Sequence, residues 1–200
     1  MANNTRAVLL SSATTLLDNG GAEAVTLREV GRMSGVSHMA PYKHFADKEA
    51  LLAAVATQEL ERMHALIDDA ASREPTPGRA LRRALHSYVD WALAHPVRFS
   101  LIFGRWSMQQ EEMGEAAEAA RGALVDAVRR GQDSGEVAPG EPERCAALLL
   151  STVHGAVMLS LGGHLAREGK GRADPGDLLD DQLDLLGTTA EARVTRPTAT

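Results

Sequence analysis

Apolar residues in the first seventy positions recur every three to four residues, which is the spacing of amphipathic helices. The pattern predicts a first helix over residues 4–19 and a long helix that begins after Asp47, whose side chain can cap it. In both segments the apolar side chains share one helix face, as in helices that pack on a core. The face consists of Leu9, Ala13, Leu16 and Leu17 in the first helix and of Leu52, Ala56, Leu60, Met63 and Ile67 in the long one.

Two short helices are predicted between them. Thr26 is a good N-cap, and Glu29 three residues later completes the capping-box pattern of the first. "SGVS" predicts a tight turn, because Gly35 adopts positive φ at little cost. Ser37 then caps a second helix that runs to about His44, which gives a helix-turn-helix. The inner stripe of the first short helix is predicted to be Leu27, Val30 and Met33.

The rest of the chain also has helical spacing, interrupted by segments rich in glycine and proline. The clearest linker is "REPTPG", residues 73–78. The polar, threonine-rich residues 188–200 are predicted to be a disordered tail. Because no segment shows the alternation of a strand, the predicted fold class is all-α. After the linker, helices are predicted at about 79–94, 96–104, 109–132, 142–163 and 175–187.

Composition limits the class of protein and its cellular compartment more than it limits the fold. Hydrophobic residues make up 44% of the chain and charged residues 24%, which are ordinary values for a soluble protein. The single cysteine, Cys145, excludes a disulfide framework. The first residues contain no apolar run long enough for export or for crossing a bilayer. We therefore predict a cytoplasmic protein with no membrane partner.

Charge is unevenly distributed along the chain. Residues 1–50 contain five basic and five acidic side chains, so the remainder carries the whole net charge of −6. Residues 1–50 are neutral overall, and with their basic side chains on one face they can approach phosphates. The acidic remainder of the chain is repelled by phosphates.

Motifs for catalysis or metal binding are missing from the sequence. It contains no His-Glu-x-x-His, no cysteine pair, no phosphate loop and no nucleophile elbow. The chain is accordingly predicted not to be an enzyme and to need neither a metal nor a cofactor.

The stretch "VTLREVGRMSGVSHMAPYKHFADKEALL" resembles the N-terminal signature of the tetracycline-repressor (TetR) family of transcriptional regulators over about residues 5–65. The shared features are the threonine that opens the second helix, "GVS", a tyrosine, "HF" and "K-E-x-L-L". The resemblance implies a three-helix DNA-binding head at residues 1–48 and a helical ligand-binding and dimerisation domain at residues 49–187. The implied partners are a double-stranded DNA operator, a small apolar effector and a second copy of the chain.

The resemblance also implies which head residues contact DNA. Tyr42 and Lys48 would contact phosphates, as would Thr26 at the start of the second helix. Lys43 could donate to guanine, and Met39 could touch a thymine methyl group. For His44, packing or capping is the alternative role. The full implied set is Thr26, Arg28, Ser37, His38, Met39, Tyr42, Lys43, His44 and Lys48.

Pro41 is unexpected in a DNA-reading helix, because proline has no backbone N–H. If Ser37 is the N-cap, Pro41 costs only one hydrogen bond, at the end of the helix. Alternatively, the regular helix begins a residue or two later, with Pro41 in its tolerant first turn.

Aromatic residues of the C-terminal part cluster between residues 88 and 106. Such a cluster on two successive helices can line a ligand cavity, or it can simply fill the core. His154 is open to both roles, because a hydrogen-bonded core histidine is the alternative. The candidate ligand-binding residues are Tyr88, Trp91, Phe103, Trp106, Met113, His154 and Met158.

The segment "CAALLLSTVHGAVMLSLGG", residues 145–163, is apolar almost all round and must be buried on more than one side. The resemblance implies that helices at about 142–163 and 175–187 form a homodimer interface. "VHG" at 153–155 also resembles a Trp-His-Gly motif of one subgroup, with Val153 in place of the tryptophan.

The predicted function is a ligand-responsive transcriptional regulator, and specifically a repressor that binds a palindrome as a homodimer. A helical small-molecule carrier with a vestigial head is the first rival. An enzyme that uses His154 and a nearby acid is the second.

Overall fold

The computed structural model describes residues 2–104, 106 and 111–194, with side chains for residues 4–104, 106 and 111–187. The described residues contain no strand, only an isolated bridge between Ala166 and Gly171, which confirms the all-α class. The helices are α1 (Ala2–Ala24), α2 (Leu27–Met33), α3 (Ala40–His44), α4 (Lys48–Arg73), α5 (Pro77–Ala94), α6 (Pro96–Ile102), α7 (Glu111–Asp133), α8 (Pro142–Leu161) and α9 (Pro175–Val194).

The chain divides into two compact units, and each is described by itself. The head unit consists of Met1–Arg62 and His95–Ala119, and the body unit consists of Met63–Ala94 and Ala120–Thr200. The domain boundary predicted after residue 48 stays a prediction.

The head unit is built on the apolar face of α1. Leu9, Ala13 and Leu17 are completely buried, as their spacing predicted. The helix is longer than predicted, because it continues through a kink at Gly21 to Ala24. Met33 was wrongly placed on the inner stripe of α2, since it is 41% exposed.

Charged side chains also hold the head unit together. Glu59 on α4 is 1% exposed, and no other charged side chain among the described residues is as deeply buried. Arg98 on α6 donates from Nη1 to Glu59 Oε1 at 3.3 Å, and Arg62 Nη1 donates to the same oxygen at 2.9 Å. The Arg98 guanidinium also binds the Asp18 carboxylate of α1 through two nitrogens, with Nε to Oδ1 at 2.8 Å. These hydrogen bonds hold the pKa of Asp18 below its usual value, and they join α1, α4 and α6.

The core of the body unit includes buried faces of α5, α8 and α9. Leu81, Leu149 and Leu179 are completely buried. Polar contacts join α5 to α9: Arg82 binds Asp180, and His86 Nε2 lies 2.8 Å from Asp180 Oδ1.

The segment predicted to be buried on several sides is α8, and in this chain only one of its faces is covered. Val153 and Val157 are buried, whereas Leu148 is 52% exposed and Leu159 50% exposed. Among the described residues α8 is long and apolar enough to cross a membrane by length and composition alone, a test that the core helix of a soluble protein also passes.

Some helix boundaries differ from those predicted. α9 runs to Val194 rather than ending at 187, so the predicted disordered tail begins inside a helix. Residues 195–200 of that tail lie outside the described residues.

We expect Arg98→Leu to destabilise the protein by about 3 kcal/mol, because it removes a partner from a buried carboxylate. Urea-induced unfolding followed by circular dichroism measures the loss. The control is the double variant Arg98→Leu/Glu59→Leu, which removes both charges and should recover most of it. A double variant no more stable than Arg98→Leu would contradict a role for the buried charge.

Candidate functional site

The helix-turn-helix begins with the cap that the sequence predicts. Thr26 Oγ1 accepts a hydrogen bond from Glu29 N at 3.1 Å. The Glu29 carboxylate binds Arg32 rather than completing a reciprocal box. Gly35 has φ of 64° in the turn, which is the left-handed conformation expected of it. Ser34 Oγ donates to or accepts from Ser12 Oγ at 2.8 Å, which ties the turn to α1.

The residue at which α3, the predicted reading helix, begins decides between the two alternatives for Pro41. The N-cap of α3 is Met39 rather than Ser37, and no side chain caps it. Pro41 therefore lies in the first turn, where its missing N–H is tolerated. The prediction of Ser37 as the cap is wrong, because Ser37 instead accepts from Ala40 N through its carbonyl in a turn that precedes the helix.

Pro41 also has a packing role. Its ring is buried, and a Cβ on Gly31 of α2 would lie only 3.0 Å from Pro41 Cγ. The glycine therefore lets the two helices approach closely, and the proline fills the space. Phe45, which follows α3, is 4% exposed and belongs to the head core.

The opposite side of α3 and the residues before it lie open to solvent. Met39 is 51% exposed and Tyr42 is 50% exposed. Arg28 and Lys43 are exposed as well. His44 is half-buried, and its ring lies 6.4 Å from that of Phe45 in a tilted arrangement. The predicted DNA-contacting residues with exposed side chains are Thr26, Arg28, Ser37, His38, Met39, Tyr42 and Lys43.

Lys48 stands apart from this group at the first position of α4. Asp47 caps that helix by accepting from Ala50 N at 2.8 Å, as predicted. The Lys48 ammonium is 3.9 Å from the fully exposed Glu23 carboxylate. So long a contact with an exposed partner is weak, and it leaves Lys48 able to reach a phosphate.

The predicted ligand-binding residues divide between the two units. Tyr88, Trp91 and His154 meet in the body unit: Tyr88 Oη lies 3.4 Å from His154 Nδ1, and the rings of Tyr88 and Trp91 are 6.4 Å apart. Burial raises the pKa of Tyr88 and lowers the pKa of His154, so it favours the neutral form of both side chains. Met158 is 50% exposed on α8. Phe103, Trp106 and Met113 belong to the head unit.

Metal chemistry finds no support in the described part of the chain. No group of three or more His, Cys, Asp or Glu side chains there is arranged to hold a metal ion. Burial raises the pKa of Cys145, which does not favour a reactive thiolate.

Two family models match the chain. One, described as "Tetracyclin repressor-like, C-terminal domain", covers residues 81–186, and one described as "Bacterial regulatory proteins, tetR family" covers residues 9–55. The chain belongs to the TetR family. It is a DNA-binding transcription regulator whose helix-turn-helix is the α2–turn–α3 segment described above. The Trp-His-Gly subgroup stays a prediction.

Known relatives of this TetR-family chain align over nearly its whole length. It is 25% identical to the HTH-type transcriptional repressor AcnR of Corynebacterium glutamicum, over 95% of this chain and 94% of the relative. A solved protein with unknown function from Rhodococcus sp. RHA1 is 31% identical, with a TM-score of 0.80 over 92% of this chain and 94% of that one. FadR from Bacillus subtilis in complex with stearoyl-CoA has a TM-score of 0.70 at 14% identity, over 91% of this chain and 97% of that one.

Sequence reasoning missed Arg6 in this TetR-family head. Its guanidinium carbon lies 5.6 Å from the centre of the Phe45 ring, and Nη2 lies 3.5 Å from Glu112 Oε2. The spacing of the sequence indicates that Arg6 faces the core, because it lies one helical turn before Leu10, which is on the buried face of α1.

We expect the stability of the protein to fall as pH drops below about 6.5, partly because of His154. Burial lowers the pKa of His154 below the usual 6.5. Between these two pKa values the unfolded chain binds a proton at His154 and the folded chain does not. This contribution is complete above the unfolded-state pKa and is lost progressively until pH reaches the lowered folded-state value.

Thermal unfolding across this pH range measures the effect in wild type and in His154→Gln, which should show a smaller decrease. His164→Gln, which changes an exposed histidine of the same unit, is the matched control. Equal pH dependence in wild type and His154→Gln would contradict the assignment.

Proposed function

We propose that this regulator is a cytoplasmic repressor that binds a palindromic operator as a homodimer and is released by a small apolar effector. The observation that carries the proposal is the exposed side of the reading helix. Two copies of it, about 34–36 Å apart, would reach successive major grooves of one DNA face.

In this proposal the exposed side chains around α3 contact different parts of the DNA, some the bases and others the phosphates. Lys43 donates to guanine or to a nearby phosphate, and Met39 packs on a thymine methyl group. Tyr42 donates its hydroxyl to a phosphate, which fixes the position of the helix without reading sequence. Pro41 lies on the inner side of the same helix and supports these residues from the core.

Two further phosphate contacts would flank the reading helix. The Thr26 hydroxyl accepts from Glu29 N, so its own proton is still available for a phosphate oxygen. Lys48 lies at the N-terminus of the long helix α4, where the helix dipole also favours an anion.

The exposed apolar residues of α8 and α9 support the homodimer. Leu148 and Leu159 of α8 are about half exposed, and Leu185 of α9 is 69% exposed. A Cβ on Gly155, between the two α8 leucines, would meet nothing within 4 Å. A second copy of this surface would bury these leucines and could approach α8 closely at the glycine.

The effector site that we propose is the Tyr88–Trp91–His154 cluster of the body unit. Its groups are largely apolar and uncharged, which suits an apolar molecule that needs one or two hydrogen bonds. FadR, a fold relative, was solved with stearoyl-CoA, so this architecture can hold an acyl ligand. An effector that favours the non-binding state by about 1–3 kcal/mol would provide a useful switch.

DNA selection from a random pool tests the proposal directly, and we expect an inverted repeat. In gel-shift titrations on the selected site, Tyr42→Phe should weaken binding about fivefold by removing one hydrogen bond. Lys43→Gln should weaken binding and reduce the salt slope by about 1 if the lysine contacts a phosphate.

Lys170→Gln, an exposed lysine outside the head, is the matched control and should leave operator affinity unchanged. A wild-type chain that selects no sequence would overturn the proposal and favour a helical small-molecule binding protein.

We expect Leu159→Glu to weaken dimerisation at least about tenfold, because the carboxylate would have to be desolvated in the interface. Sedimentation equilibrium measures the dissociation constant. Val8→Glu, which changes an exposed apolar residue of the head unit, is the control and should have no effect. A monomeric wild-type protein, or a Leu159→Glu variant that dimerises normally, would contradict the interface.

A further inference from the structure

A cavity of about 610 Å³ opens on the surface of the head unit, lined by residues of α1, α4, α6 and the segment after α6. Its walls are mainly apolar and include Leu17 of α1, Leu52 of α4 and Leu101 of α6. Cavities of about 300–1,000 Å³ are typical of small-molecule sites. No residue of the Tyr88–Trp91–His154 cluster lines it, so it differs from the effector site proposed above.

Trp106, whose side chain is partly buried, lines the same cavity. Its indole Nε1 is buried, and no acceptor for it occurs among the described residues. A buried donor without a partner costs free energy, so such groups are uncommon in folded proteins. A bound molecule with an acceptor oxygen near the indole would remove that cost.

Two charged residues at the start of α4 also line the cavity. Lys48 is held only weakly by Glu23, as described above, and the adjacent helix N-terminus favours negative charge. Glu49 is the opposing group, because it also lines the cavity and its negative charge would repel an anion. A ligand carboxylate therefore fits best where it reaches Lys48 and keeps away from Glu49.

We propose that this cavity binds a small amphipathic carboxylate, with its hydrocarbon part among the leucines and its carboxylate oxygens shared between Lys48 and the Trp106 N–H. This site goes beyond the proposed function, because it lies in the head unit itself. If Lys48 also contacts a DNA phosphate, ligand and operator compete for one ammonium group. Each then weakens the binding of the other by the same factor.

Nuclear magnetic resonance of the full chain, without DNA, tests the site with octanoate as the probe. The two indole N–H cross-peaks are assigned with Trp91→Phe, which leaves Trp106 as the remaining tryptophan. Increasing octanoate concentration should move the Trp106 peak downfield until the change in chemical shift reaches a plateau. Octanamide, which keeps the acceptor and lacks the charge, should move the same peak with about fivefold weaker affinity.

Charge variants test the placement of the carboxylate. Lys48→Gln should weaken octanoate about fivefold and leave octanamide almost unchanged. Lys43→Gln changes a head lysine that does not line the cavity, and it should affect neither probe. Glu49→Gln should strengthen octanoate by removing the repulsion.

A cavity-filling variant tests the location. Ser100→Phe adds a ring at an exposed lining position of α6 and should abolish the Trp106 shift, whereas Ser72→Phe on the exposed surface of α4 should not. The proposal is overturned if millimolar octanoate leaves the Trp106 peak in place. It is also overturned if the shift survives Ser100→Phe or if Lys48→Gln weakens both probes equally. None of these results depends on operator binding, so they are separate from a failure of the proposed function.

Discussion

The buried carboxylate of Glu59 is the constraint on which the head unit depends. A charge removed from water must keep its hydrogen-bond partners, and Glu59 receives them from Arg62 on its own helix and Arg98 on α6. Because Arg98 also binds Asp18 on α1, one guanidinium fixes three helices relative to one another. A shift of α6 against α1 and α4 would break several of these bonds together.

Hydrophobic burial imposes a second constraint, on α8. The face that contains Val153 and Val157 is covered within the chain, whereas the face that contains Leu148 and Leu159 is exposed. An exposed apolar surface of this kind usually marks an interface. One face of the helix is apolar and buried, and the other is apolar and exposed, which accounts for its nearly continuous apolar composition.

Local patterns in the sequence predicted much of the fold. The apolar face of α1, the caps at Thr26 and Asp47 and the turn at Gly35 depend on neighbouring residues, and all are present. Contacts between distant residues were not predictable in this way. The Asp18–Arg98 pair spans 80 positions, and no local spacing indicates it. The aromatic cluster illustrates the same limit, because proximity along the chain did not reveal that its members belong to different units.

The contact of Pro41 with Gly31 bears on attempts to re-engineer DNA specificity. A helix of five residues is too short to be stable alone, so α3 depends on the surface that supports it. Grafting "HMAPYKH" into another regulator would therefore transfer the side chains without their orientation, unless a glycine is placed opposite the proline. The smallest segment that can be exchanged is therefore the α2–α3 pair. A graft of α3 alone succeeds only where the recipient's own α2 leaves room for the proline.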